Sequence, residues 1–366
     1  MNDRDFMARA LELAAKGEGS VNPNPLVGAV VVADAQIVGE GWHKQFGGPH
    51  AEVHALNEAG AASSGATLYV SLEPCCHHGK TPPCTDRIIA AGIRKVVVAT
   101  RDPNPAVNGK GLAILKAAGI DVLESVMEQE AKQQNEIFFT SMTQHRPFVH
   151  LKLAMSLDGR IATKTGDAKW ISGEASRVRA HEMRRKYAAI LVGVGTVTSD
   201  DPVLNVRHVE GINPRPIVLD PTGRIPLSAR LLASGCVPII VTHSMSEESE
   251  IALKEKGAEV WRLPLVNGSL DLPQLLRQLA EAGLDSILIE GGGETAAGFL
   301  NTGLVDKVSL FMAPLFIGGR QAVPSIGGEG IDAMAQAIHL HRVSTEWLGE
   351  DLLYTGYTGY TGYTKQ

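Results

Sequence analysis

Apolar positions along the chain switch between a period near 3.6 and short continuous runs, a pattern that predicts helices alternating with buried strands. From about Arg4 to Lys16, Phe6, Ala10, Leu13 and Ala14 fall on one face of a helix. VGAVVVAD and QIVGEGWH then read as two strands joined by a short turn at Asp34-Ala35, a hairpin. A helix is expected from about His50, a strand at TLYVSLE, a helix from about Pro83 and a strand at KVVVAT. A helix at GLAILKAAG and a longer one from about Glu128 to Met142 follow. The charged, proline-bearing stretch QHRPFVHLKLAMSLDGR leads into a new apolar strand and places a domain boundary close to Arg146. Beyond it the alternation restarts. Strands are expected at VHLKLAMS, AAILVGV, RPIVLD, VPIIVT, SILIE and VSLFMAP, with a helix from about Gly173 to Arg185. The second half does not repeat the spacing of the first, so two unrelated α/β domains are expected, 1–145 and 146–356. The end, YTGYTGYTGYTKQ, is a tandem three-residue unit and reads as a low-complexity tail over 357–366. The competing reading is a true terminal strand from Asp351 to Tyr357 with an expanded repeat after it.

Bulk composition narrows the classes. A chain of 366 residues exceeds what one hydrophobic core usually serves. With 44% hydrophobic and 20% charged residues, it reads as an ordinary globular protein. A net charge of -6 argues against a nucleic-acid coat or a membrane-surface protein. No apolar run reaches the length of a membrane span. MNDRDFMARALELAAKG has early acids and no cleavable apolar core, so no signal peptide is expected and a cytoplasmic location is. Of the four cysteines, Cys75, Cys76 and Cys84 are clustered and Cys236 is alone. In a reducing compartment, clustering points to metal or catalytic chemistry before disulfides.

The chemistry concentrates in His50-Ala51-Glu52 and in the segment from Glu73 to Cys84. One imidazole and two thiolates suit zinc, and a catalytic zinc needs three protein ligands and an open place for water. His50, Cys75 and Cys84 would supply the three, leaving Glu52 to carry a proton from the water to the substrate nitrogen and the leaving ammonia. On a helix, residues two apart point about 200° apart, so His50 and Glu52 share a site only at a helix tip. Pro49 fits a helix start, and Pro82-Pro83 puts Cys84 in a first turn. Two helix N-termini would then favour thiolate and carboxylate. The bland alternative is a closed four-ligand structural zinc, with Cys76, His77 or His78 as the fourth. For Glu52 alone it is a solvated surface acid.

H-x-E followed by P-C and a second cysteine resembles the zinc nucleoside and nucleobase deaminases, although those usually have P-C-x-x-C and here eight residues separate Cys75 from Cys84. NPNPLVGAVVV, HAEVHAL, SLEPCCHHGKTPPC and RDPNP together resemble the bifunctional riboflavin-biosynthesis deaminase/reductase family, in which the intercysteine loop is long. The resemblance implies a cytidine-deaminase-like α/β/α first domain. It implies that Asn24 bonds the pyrimidine and that His43, His77 and Lys80 line the site, Lys80 near the ribotide phosphate. Each also has a plain reading: Asn24 as a turn residue, His43 as a strand-end histidine, Lys80 as a loop lysine. Where the family has serine, this chain has Cys76, which argues against a ligand role there.

The second half has no G-x-G-x-x-G after its first strand, which disfavours a Rossmann fold. SILIE ends in Glu290-Gly291-Gly292-Gly293-Glu294-Thr295 before the apolar AAGFL, a glycine turn able to offer N–H groups to phosphate. LKLAMSLDGRIA, GDAKWIS, ILVGVGTVTSDDPVLNVR and EGGGETAAG resemble, in order, the reductase half of the same family, which is similar in fold to dihydrofolate reductase. The likeness covers nearly all of the chain except the tail and the region from about Pro226 to Pro273. It implies NADPH contacts at Ala154, Trp170, Thr196, Asp200, Thr222 and Gly292, Gly293, Glu294, Thr295, Ala296, Ala297 and Gly298. It implies substrate contacts at Lys152, Ala168, Ser172, Arg184, Leu204, Arg207 and Glu290. Arginine binds phosphate bidentately, so Arg184 and Arg207 are the natural phosphate pair. Lys152, Asp200 or Glu290 could manage the proton when the ribosyl group is reduced to ribityl, and the sequence does not choose. Plain readings compete here too: Trp170 as a hinge aromatic, Arg184 as a complement to a helix dipole, Asp200-Asp201-Pro202 as a turn. Ala168 stands where the family often has serine.

The resulting expectation is a homo-oligomeric enzyme that uses Zn2+ and NADPH on one phosphorylated pyrimidine, with no nucleic-acid or membrane partner. It deaminates 2,5-diamino-6-ribosylamino-4(3H)-pyrimidinone 5′-phosphate and then reduces its ribosyl group. The second reading is a deaminase of nucleosides or tRNA bases with an unrelated C-terminal domain, and the lack of a basic stripe counts against tRNA. The third is a zinc-stabilised binding protein, against which stands Glu52, a residue that ligation does not require.

Overall fold

The computed structural model describes residues 1–77 and 82–359, which divide into two compact units, Met1–Gln144 and His145–Gln366. Lys80, His78 and the tail from Tyr360 onward lie outside the described residues.

The first unit runs α1 (Asp3–Ala15), β1 (Gly28–Ala33), β2 (Gln36–Trp42), α2 (Ala51–Ala59), β3 (Thr67–Val70), α3 (Cys84–Ala90), β4 (Lys95–Val98), α4 (Lys110–Ala117), β5 (Asp121–Leu123), α5 (Glu128–Gln134) and α6 (Glu136–Gln144). Its sheet has the order β2-β1-β3-β4-β5, antiparallel at the hairpin and parallel from β3 to β5. Alternate strand residues serve opposite faces. Val31, Leu68, Val70 and Val96 pack under α2 and α4, whereas Val30, Val32, Tyr69 and Val97 pack under α1. Asp34 and Ala35 both adopt positive φ, which closes the hairpin. The continuous helix expected from Glu128 to Met142 is instead two helices broken at Asn135. The buried Asn135 amide bonds both backbone groups of Leu26, a distant contact that periodicity does not reveal.

The second unit runs β6 (Phe148–Ser156), β7 (Arg160–Ala162), α7 (Glu174–Arg184), β8 (Ala189–Gly193), α8 (Val194–Asp200), β9 (Arg215–Leu219), β10 (Ile239–Thr242), α9 (Glu247–Glu255), β11 (Glu259–Arg262), β12 (Leu265–Val266), β13 (Ser269–Leu270), α10 (Leu272–Glu281), β14 (Ser286–Ile289), α11 (Gly293–Asn301), β15 (Lys307–Ala313), β16 (Val323–Pro324), β17 (His341–Leu348) and β18 (Asp351–Tyr357). A nine-stranded sheet has the order β11-β10-β9-β8-β14-β6-β15-β18-β17. It is parallel as far as β15 and antiparallel at β18 and β17. Both faces of its centre are covered, so its strands read as unbroken apolar runs. Asp200, read as part of a turn, closes α8 instead. Tyr357, expected to begin the tail, is the last residue of β18. It pairs with Lys307 and is buried, and Thr358 continues the attachment by donating its N–H to the Asp306 carbonyl at 3.2 Å.

Candidate active sites

In the first unit, α2 packs hard against β2. A Cβ on Gly41 would lie 2.3 Å from the Ala51 carbonyl oxygen, so glycine is what lets the helix start this close. His50 is the extended N-cap of that helix and Glu52 sits in its first turn, the helix-tip arrangement that an H-x-E pair needs. Cys84 opens α3. His50 Nδ1 lies 3.2 Å from Cys84 Sγ and 3.5 Å from Cys75 Sγ, and the Cys84 backbone N–H donates to Cys75 Sγ at 3.3 Å. Among the described residues these three donors form one metal-capable group, within 4.8 Å of one another. The set fits zinc: one imidazole, two sulfurs and, among the described residues, no fourth donor in the group. Cys76 turns its sulfur toward the Ala106 carbonyl at 3.9 Å, and His77 is exposed and outside the group.

Hydrogen bonding from Cys84 and from His50 pulls the Cys75 thiol down to about 4, against the opposing effect of burial. The same contact, with burial, pushes the Cys84 thiol up. Glu52 is 3% exposed, and its Oε2 has no hydrogen-bond partner among the described residues. Burial pushes its carboxyl up, with His50 opposing. A buried carboxylate oxygen with no partner is costly, and a reactant that bonds to it removes the cost.

His43 and Asn24 are set by one chain of bonds. The Pro49 carbonyl only accepts, so His43 Nδ1 carries the proton and donates at 3.1 Å. His43 Nε2 therefore accepts from Asn24 Nδ2 at 3.0 Å, which leaves Asn24 Oδ1 as an acceptor for a ring N–H. Burial holds the His43 pKa below its ordinary value, so the ring stays neutral. Glu73 was not anticipated. Its buried carboxylate accepts from the backbone N–H groups of Asp102, Gly109, Gly111 and Leu112, at 2.9–3.3 Å. It thereby ties the Pro74-Cys75 corner to the RDPNP loop and to the start of α4. Its place directly before Pro-Cys was the available signal. Replacing Cys75 with serine is expected to abolish stoichiometric metal, whereas Cys76→Ser keeps it; elemental analysis of the purified variants checks both.

In the second unit, a cavity of about 620 Å³ is lined by Lys152, Ala154, Ala168, Trp170, Ser172, Arg184, Thr196, Asp200, Leu204, Arg207, Glu290 and Gly292. An equally large cavity shares Ala168, Thr196, Asp200 and Gly292 with it and adds Gly293, Glu294, Thr295 and Gly298, where α11 begins. Thr222 is not among the lining residues, although Pro221 and Arg224 are. Ala296 and Ala297 are buried and line neither cavity. Trp170 is exposed, with the Arg177 guanidinium 4.9 Å from its ring centroid.

Arg184 and Arg207 are not an equivalent pair. Arg184 Nε and Nη2 hold both Glu290 oxygens at 2.8 Å, and its Nη1 donates to the Asn205 carbonyl at 3.0 Å. Arg207 is exposed and makes no hydrogen bond or ion pair with any described residue. Lys152 Nζ stands 3.8 Å from Glu290 Oε2. Burial lowers the Lys152 pKa, with Glu290 opposing. Burial raises that of Glu290, but the charges of Arg184 and Lys152 overcome this and bring it down to about 2. Two more acids act at a distance. Asp351 in β18 accepts from Gly173 N–H at 2.7 Å and Ser176 Oγ at 2.5 Å, fixing the start of α7 beside Ser172. Asp158 of the SLDGR motif clamps the N–H groups of Ile317 and Gly318, so the motif is a turn that holds a loop.

Two family models match the chain: the cytidine and deoxycytidylate deaminase zinc-binding region over residues 1–100, and the RibD C-terminal domain over residues 147–354. The chain is 47% identical over 352 residues to the riboflavin biosynthesis protein RibD of Aquifex aeolicus, covering 96% of this chain and 97% of that one. It is 41% identical over 328 residues to the RibD of Escherichia coli, covering 87% and 89%. Among solved structures, it is similar to a diaminohydroxyphosphoribosylaminopyrimidine deaminase/5-amino-6-(5-phosphoribosylamino)uracil reductase from Thermotoga maritima. The TM-score is 0.85, with 40% identity and coverage of 97% and 98%. Acinetobacter baumannii RibD gives a TM-score of 0.87 at 37% identity, again covering 97% and 98%.

Proposed function

Because the chain belongs to the RibD family of bifunctional riboflavin-biosynthesis deaminase/reductases, we propose that Glu52 and Lys152 are the proton carriers of its two consecutive reactions. The first domain is a zinc-dependent deaminase of the cytidine-deaminase type and the second an NADPH-dependent reductase. His50, Cys75 and Cys84 would hold the zinc ion, which would supply Lewis-acid activation of water. Glu52 takes the proton of the attacking water and returns it to the departing amine. Asn24, oriented by neutral His43, accepts a ring N–H and aligns the pyrimidine. The single observation that carries this reading is a buried, unpartnered carboxylate oxygen next to a three-donor metal group.

In the reductase half, the bound cofactor NADPH would supply the hydride for converting the ribosyl group to ribityl. The turn from Gly292 to Thr295 offers N–H groups at the start of α11 to a cofactor phosphate. The opened sugar oxygen needs a proton. Glu290 is committed to Arg184, and Asp200 is exposed, whereas Lys152 is mostly buried, lines the cavity and has its pKa lowered by burial, which favours it as the donor. Incubating the full chain with the diaminopyrimidine ribotide, with and without NADPH, and weighing the products tests the order. One amino group should be replaced by oxygen without NADPH, and two hydrogens should be added only with it. Reduction of the still-aminated compound would overturn the sequence of steps.

A further inference from the structure

We propose that Arg230 is a phosphate-binding residue of the reductase site, acting with Arg207 on the 5′-phosphate of the substrate while Arg184 serves mainly to hold Glu290. The assignment rests on the reductase reading above and adds a residue from a stretch in which the sequence offered no recognisable motif.

Three observations carry it. The first is how each arginine spends its donors. A guanidinium has five N–H groups. Arg184 gives three of them to Glu290 and to the Asn205 carbonyl, which leaves it anchored with little to offer an incoming dianion. Arg207 and Arg230 both line the same cavity, and the guanidinium of neither has a hydrogen-bond or ion-pair partner among the described residues. The second is that Arg230 is built in place from its backbone. It opens a short 3-10 turn, Arg230–Ala233, and its neighbours Ala229 and Leu231 are buried in the same core cluster as Leu204. The Arg230 N–H donates to Asp201 Oδ1 at 2.8 Å, so this turn is tied to the loop that carries Leu204 and Arg207. Asp201 thus takes the backbone and leaves the guanidinium unpaired.

The third is charge. Cations outnumber carboxylates along this cavity, and its one buried carboxylate, Glu290, is already matched. Arg207 is pressed below its ordinary pKa by desolvation and then by the charges of Arg184 and Arg230, a concentration of like charge that an anion relieves. A phosphate has the geometry for two forked guanidiniums. The cofactor's 2′-phosphate has the same chemistry, and the experiment separates the two sources.

Steady-state NADPH oxidation by the full chain is measured for wild type, Arg230→Ala and Arg230→Lys. The substrates are the phosphorylated deaminated ribotide and its 5′-dephosphorylated counterpart. Losing a hydrogen bond to a charged group should raise KM for the phosphorylated substrate roughly ten- to hundredfold in Arg230→Ala, with Arg230→Lys between. KM for the dephosphorylated substrate should be the same in all three. An unchanged KM for the phosphorylated substrate, or an equal rise for both, would overturn the assignment. So would a rise in KM for NADPH with that for NADH unchanged, which would give Arg230 to the cofactor. If wild type oxidises no NADPH with either substrate, the reductase reading itself falls, and that outcome is visible before any variant is compared.

Discussion

Replacing Glu52 with glutamine should leave one metal ion bound and lower deamination by about two to four orders of magnitude, the usual worth of a positioned proton carrier. The substitution keeps shape and volume. Metal content should survive because the ligand group consists of His50, Cys75 and Cys84 and does not include Glu52. What is lost is a group that can take a proton from water and return it to nitrogen. The fold should not suffer, since Glu52 Oε2 bonds no described residue and an amide is easier to bury than a carboxylate. Ammonia release and elemental analysis on the same preparation check the two halves. Reduction of already deaminated substrate should be unchanged, because it belongs to the other domain. Deamination at the wild-type rate would remove Glu52 from the mechanism, whereas loss of metal would make it a structural support of the ligand group.

How much of this was legible depends on how far apart in sequence the interacting groups lie. Runs such as VVV in β1 and LLI-like apolar blocks in the parallel strands carry their own signal, because burial on a sheet acts residue by residue. The zinc group was legible for another reason: His, Glu and Cys at those spacings are chemically rare, and Pro49 and Pro82-Pro83 mark the helix starts that bring them to one point. What stayed hidden are long-range polar clamps. Asn135 breaks a helix for the sake of Leu26, Glu73 gathers four N–H groups beyond residue 101, and Asp351 fixes a helix start 178 positions away. Each looked like an ordinary polar residue. The commitment of Arg184 to Glu290, 106 positions on, was equally hidden. The side chains of Ala296 and Ala297, which the resemblance places in the cofactor set, are buried, a consequence of helical geometry that the motif does not reveal.

Replacing Glu290 with glutamine should destabilise the reductase domain by about 3 kcal/mol near neutral pH, within the range for breaking a buried pair while its partners stay charged. The carboxylate has two buried or nearly buried cations to satisfy, Arg184 with both oxygens at 2.8 Å and Lys152 at 3.8 Å. Its folded-state pKa is depressed from the ordinary 4.5 to about 2. A depressed carboxyl contributes stability that is full above the unfolded value and is lost as pH falls through the folded one. The stability gap between wild type and Glu290→Gln should therefore be constant from pH 7 to about 5, shrink to roughly half or less by pH 3, and nearly vanish at pH 2. Urea unfolding of both proteins across that range gives the gap directly, and taking the difference cancels the titrating groups that do not interact with Glu290. A gap that stayed level down to pH 3 would mean that Glu290 stabilises by packing and not by charge. Reductase turnover should fall in the same variant with KM for NADPH little changed, because Lys152 and Arg184 lose the group that sets their positions while the turn at Gly292 is untouched. The two readouts separate the roles: stability reports the ion cluster, and turnover reports the placement of Lys152 that the cluster secures.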